Sequence, residues 1–193
     1  MSSGPTSDEE LRAGRVDGSR PPTEPVILVD YDAEWPRLFA EEEARILEAF
    51  GEEAVDVEHT GSTSVPGLAA KPVIDIVLVV RDSTEEPAYV PALEGAGYVL
   101  RIREPSWFEH RLFKRTEPKV NLHVFSSGCP EVDRMLLFRD HLRRDARDRD
   151  LYERTKRELA QSEWKYVQHY ADAKTPVVEE ILARARGAEQ GRS

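Results

Sequence analysis

The chain has 193 residues, enough for one domain with a substantial core. Its 37 acidic and 27 basic side chains give a formal net charge of −10, which repels long nucleic acid unless the basic residues gather in one cleft. A lone cysteine, Cys129, excludes an internal disulfide; with no apolar leader pattern and no apolar run of membrane-spanning length, the expected setting is the cytoplasm with no membrane partner.

Residues 1–24, rich in Ser, Gly, Pro and charge, lack apolar periodicity and read as a disordered arm. The folded domain is expected over 25–185, with 186–193 as a C-terminal tail. Val26 to Val29 suits a short strand. Trp35, Leu38, Phe39, Ile46, Leu47 and Phe50 recur at three-and-four spacing, which predicts an amphipathic helix with Asp32 as its cap and Gly51 at its end. Val55 to His59 predicts a strand, 62–70 a turn or short helix, and Val73 to Val80 a buried strand that is apolar but for Asp75. A helix follows over about 85–96, with Pro87 in its first turn. Strands over His110 to Arg115 and Val120 to Phe125 flank Thr116-Glu117-Pro118-Lys119, a hairpin turn. Pro130 opens a helix with Val132, Met135, Leu136 and Leu142 on one stripe; Leu151 to Tyr170 supplies another, and Thr175-Pro176 begins the last. Helices before, between and after the strands of a modest, partly antiparallel sheet give an α+β fold.

Strand alternation places Asp75 with Val73, Val77 and Val79, where an unpartnered carboxylate costs several kcal/mol. It needs a partner, either structural or functional. Just upstream, Gly61, Ser62, Ser64 and Lys71 combine a flexible corner, two hydroxyls and a cation, the ingredients of a phosphate cradle or of a purely structural turn. Asn121, His123 and Phe125 share the face of their strand opposite Val120, Leu122 and Val124, so His123 is a candidate metal ligand, general base or phosphate contact. His59 carries the same ambiguity. Arg139 lies on the apolar stripe of its helix and needs an anion; Asp140 is on the wrong face, which leaves a distant carboxylate (Asp75 among them) or a ligand phosphate. Arg111 and Arg115, with Phe113 between them, are weaker candidates for the same cleft.

His59 to Asp75 and four further stretches resemble the GrpB family, a branch of the nucleotidyltransferase superfamily. The stretches are Tyr31 to Pro36, Val120 to Phe125, Leu137 to Leu142, and Tyr170 to Thr175, the last containing Lys174. The resemblance implies a small mixed sheet flanked by helices, with a helical C-terminal part. It also implies a signature of a Gly-Ser corner, an Asp-x-Asp pair and a third carboxylate on a later strand. Gly61-Ser62 and Asp75 fit that signature. Val77 stands where the second carboxylate is expected, and the strand of Asn121 and His123 carries no acid, so two of the three expected carboxylates are absent. Some members look fused to a dephospho-coenzyme A kinase domain, but this chain has no P-loop motif.

The expected ligand is a nucleoside triphosphate or another phosphorylated small molecule. Gly61, Ser62, Ser64, Lys71 and Arg139 would take the phosphates, Asp75 and His123 would be catalytic, and His59, Arg111, Asn121 and Lys174 are further candidates. A divalent ion, Mg²⁺ or Mn²⁺, would sit on Asp75 and His123, although that pair suits a transition ion better than magnesium. The implied activity is nucleotidyl transfer to a small acceptor; the alternative is a non-catalytic nucleotide or phosphometabolite sensor, or a scaffold, with a degenerate metal site.

Overall fold

The computed structural model describes residues 6–16, 18–50 and 56–190. Its centre is a five-stranded mixed sheet in the order β1-β2-β5-β4-β3. The strands are β1 (Asp56–Thr60), β2 (Ile74–Val80), β3 (Val99–Glu104), β4 (His110–Arg115) and β5 (Val120–Ser126). β2 and β5 run parallel at the centre and every other pair is antiparallel.

The alternation of β2 and β5 builds two different faces. Ile74, Ile76, Leu78 and Val80 join Val120, Leu122 and Val124 under helix α2 (Trp35–Phe50), which contributes Trp35, Ile46 and Phe50, and under the short α3 (Val90–Gly95), which contributes Leu93. Asp32 accepts the Glu34 N–H at the start of α2. Gly51 and Val55, expected to end this helix and open the next strand, lie outside the described residues. The opposite face carries α4 (Pro130–Arg144), α5 (Ala146–Leu159), α6 (Val167–Ala173) and α7 (Thr175–Gln190). Val77, Val79 and Phe125 pack there on Val132, while Val65, Leu68, Leu142, Tyr152, Val177 and Ile181 form a second cluster.

Several expectations need correction. The arm is not disordered over residues 6–16: Ser7 and Glu10 form a capping box for helix α1 (Asp8–Ala13). Its continuation pairs with the open edge of β3, through Val16 N–H to Arg101 O and Arg103 N–H to Gly14 O, which satisfies groups that an edge strand leaves bare. Val26 to Val29 is no strand; only Val29 pairs, with Ala70, and Ile27 is exposed. The helix over 85–96 is a 3₁₀ turn (Glu86–Ala88) followed by α3, because Pro91 interrupts the N–H ladder. β3 is not among the expected strands, although Leu100 and Ile102 alternate with Arg101 and Arg103. The stripe over 151–170 is broken between α5 and α6, and α7 continues past residue 185 into the expected tail.

Candidate functional site

Where β1 ends, the chain turns over the start of β2, and Thr60 pairs with Asp75. Gly61 takes φ +68°, and an added Cβ there would lie 2.3 Å from Asp75 Oδ2, so the close approach of corner to carboxylate requires glycine. Ser62 opens a 3₁₀ turn to Ser64. The Ser62 hydroxyl accepts from Lys156 Nζ at 3.0 Å, whereas Ser64 Oγ donates back to Gly61 O and stitches the turn. Asp75 Oδ1 accepts the Asn121 amide at 2.8 Å and lies 4.0 Å from His123 Nε2. Burial works against the Asp75 charge, but His123, Asn121 and Lys71 together hold its pKa below the usual carboxylate range.

His123 ends a chain of ring contacts. Its Nδ1 is 3.0 Å from His110 Nε2, and His110 Nδ1 is 2.7 Å from Glu104 Oε2. His110 is 3 % exposed and stacked on Phe125, with the His123 ring beside it. Burial pushes its pKa down to about 4 despite Glu104, so at neutral pH its single proton sits on Nδ1, toward the carboxylate. His110 Nε2 then accepts from His123 Nδ1, and His123 Nε2 faces the cleft 4.0 Å from Asp75, where a proton gained at Nε2 is shared with the carboxylate and lowers its pKa.

A cleft lobe of about 370 Å³ adjoins this centre. Arg15, Lys71, Lys114, Lys156 and Lys174 line it, against Asp75 as the one carboxylate among the described lining residues. Five basic side chains thus converge in a chain whose formal net charge is −10. Burial and the neighbouring Lys174 lower the pKa of Lys71; burial and Arg15 lower that of Lys114. Burial brings Lys156, 2 % exposed, down to about 7, although it also donates to Ala69 O and lies over the Tyr152 ring. The arm forms part of this wall, with Leu11, Pro21 and Pro22 beside Arg15. Val167 N–H to Pro22 O and Thr6 N–H to Asp172 tie the arm to α6.

Of the expected residues, Gly61, Ser62, Lys71, Asp75, Asn121, His123 and Lys174 meet at this cleft, and Arg139 lines its wall. Ser64 does not, since its hydroxyl faces its own turn. His59 lies on the α2 side, stacked on Phe39 and bonded to Thr63, with burial driving its pKa to about 4. Arg111 also points to the opposite face, where Glu86 and Glu109 pair it; the register puts Leu112 and Lys114, not Arg111, opposite His123 and Asn121. Arg139 is buried with its guanidinium spent on Glu58, His59 O and Asp140, contrary to the expectation that Asp140 was out of reach, because Nε lies beside the adjacent carboxylate. It does not pair with Asp75. Lys114, Lys156, His110, Glu104 and Arg15 were not foreseen. Pairing across the predicted hairpin could have found Lys114, and Lys156, one turn beyond Tyr152, could have been read as inward-facing as Arg139 was.

A carboxylate cage for magnesium does not fit these residues, since Val77 is fully buried and Asn121 spends its amide on Asp75. Elsewhere, His141, Asp145 and Asp148 cluster, but Arg184 donates to both Asp148 oxygens and His141 to one, which makes the group a charged tie between α4, α5 and α7. No described helix is long and apolar enough to cross a membrane.

Comparison with known proteins agrees with this architecture. A UPF0157 protein of Halalkalibacterium halodurans is 58% identical over 181 residues, 94% of this chain and 93% of its own. The crystal structure of conserved protein GrpB from Enterococcus faecalis superposes with a TM-score of 0.71 at 28% identity, over 82% of this chain and 98% of that one. The Cid1 poly(U) polymerase, at 12% identity and a TM-score of 0.52 over 75% of this chain and 49% of its own, shares the nucleotidyltransferase-like fold. The sequence model described as GrpB protein matches residues 25–184, spanning the corner, the central strands and the lysine-bearing helices, and the chain belongs to the GrpB family.

Proposed function

We propose that the cleft binds the phosphate chain of a nucleoside triphosphate in the cytoplasm and that the protein transfers the nucleotidyl group to a small acceptor. The observation that carries this reading is the gathering of Lys71, Lys114, Lys156 and Lys174 with Arg15 around a single carboxylate in an acidic protein. Like charges crowded in a part-buried lobe repel one another, and a polyanion relieves that cost. Ser62 and the backbone of the Gly61 corner would orient the phosphates. The acceptor hydroxyl attacks the α-phosphorus and its proton passes to His123 Nε2; the α–β bridging P–O bond breaks, and pyrophosphate leaves held by the lysines. His110 and Glu104 keep His123 in the tautomer this needs. In place of the base role, His123 Nε2 could hold one manganese- or zinc-class ion together with Asp75, which when bound would polarise a phosphoryl oxygen.

A sensor without chemistry is the second reading, favoured by Val77 and Asn121 where the resemblance implies carboxylates. Titration calorimetry with the four common ribonucleoside triphosphates and with tripolyphosphate, with Mn²⁺ or with chelator, tests both. Binding that Ser62→Ala weakens is expected, and no binding by any of these polyphosphates overturns the proposal. Pyrophosphate release that His123→Ala abolishes while binding persists identifies a transferase. Binding without release identifies the sensor.

A further inference from the structure

The lysine lobe opens into a second lobe of about 440 Å³, and the two share Ser62, Asp75, His123 and Lys174. Its walls differ in chemistry. Val65, Phe138 and Leu142 supply apolar surface, and Trp107, from the loop between β3 and β4, stands at its edge with 39 % of its surface exposed. Three rings fix the orientation of the indole: His110 at 5.0 Å, Phe125 at 5.7 Å and Phe108 at 5.9 Å, all edge to face.

The backbone holding Trp107 is strained. The two residues after it, Phe108 and Glu109, both adopt left-handed conformations at φ +55° and +51°, uncommon for side chains of that size. Two neighbours lock the turn: Ser83 Oγ and Arg111 Nη1 each donate to Glu109 O at 2.9 Å. The turn is further closed by the Trp107 N–H to Glu104 O and the His110 N–H to Trp107 O. An over-determined strained turn that keeps a large aromatic ring at the edge of a cleft, where burial would stabilise it more, needs a reason outside the fold.

We infer that Trp107 is the stacking platform for the base of the bound nucleotide. The inference rests on the reading of the lysine lobe as the phosphate site. With the phosphates among the lysines, the connected second lobe receives the nucleoside end, and its apolar wall and oriented indole suit a planar heteroaromatic ring. Because an indole face stacks on any base, Trp107 gives affinity for a base, and the polar groups around the lobe would choose which one.

The test compares ligands with and without a base. Tripolyphosphate and the four ribonucleoside triphosphates are titrated into wild type, Trp107→Ala and Trp107→Phe. Wild type should prefer at least one nucleoside triphosphate over tripolyphosphate by roughly tenfold or more, the usual scale for stacking one base. Trp107→Ala should remove that preference while leaving tripolyphosphate affinity unchanged, and Trp107→Phe should keep most of it. Tripolyphosphate affinity thus reports that the variants are folded. If wild type shows no preference for a base, or Trp107→Ala keeps it, the assignment of Trp107 fails while the phosphate reading stands. If neither tripolyphosphate nor any of the four nucleoside triphosphates binds wild type, the phosphate reading fails and the assignment falls with it.

Discussion

The α2 face of the sheet and the cleft on its other side treat charge in opposite ways. Under α2 and α3, buried or half-buried ions are paired: Arg103 and Arg111 share Glu86, and the Tyr98 hydroxyl donates to buried Glu42. On the face with α4 to α6, Lys71, Lys114, Lys156 and Lys174 have no salt-bridge partner among the described residues, and Asp75 is answered by an amide and an imidazole. The first arrangement holds the fold together. The second costs stability, which under the proposed function a bound polyanion recovers, whereas a structural ion network needs no ligand.

Breaking a pair on the structural face should have the largest effect. Arg111→Ala leaves Glu86 and Glu109 without their buried partner, and a loss of about 3 kcal/mol in urea unfolding is expected, with polyphosphate affinity unchanged once folded. Loss of binding without loss of stability would reverse the roles of the two faces.

Acid should act next, through the same face. His59, with a folded pKa of about 4 against an ordinary value of 6.5, binds a proton more readily when unfolded. Its folded pKa is depressed, so the stability it contributes is present above pH 6.5 and falls away as pH drops toward 4, by up to about 3 kcal/mol. His59→Phe, which keeps the stack on Phe39, should flatten that part of the stability profile between pH 6.5 and 4.

The smallest change in stability belongs to the cleft. Lys156→Met should unfold within about 1 kcal/mol of wild type at pH 7, because losing the bonds to Ser62 and Ala69 is offset by relief of a buried cation. Triphosphate affinity should nevertheless fall about tenfold, the scale of one charge-assisted hydrogen bond. The lysine pKa of about 7 adds a sign: wild-type stability without ligand should rise between pH 7 and 10, as the unfolded chain keeps a proton the folded one has lost, and the variant should lack that rise. A variant that binds as wild type does would remove Lys156 from the site.

Local pattern in the chain is enough for the α+β class, the central strands, the face of each side chain on β2 and β5, and the Gly61-Ser62 corner facing Asp75. These depend on local periodicity and on a glycine whose conformation its neighbours fix, and they are written within a few residues of one another. Tertiary structure alone decided which charges meet. Lys71 precedes β2, Lys114 lies on β4, Lys156 on α5 and Lys174 at the end of α6, and the helices bring them together only when they pack on one face of the sheet. Arg139 read correctly as inward but found Glu58 across 81 positions of chain, and Glu104, His110 and His123 align only through the registers of β3, β4 and β5. Periodicity says that a side chain points inward; the partner it meets there is set by long-range packing, which no local pattern encodes.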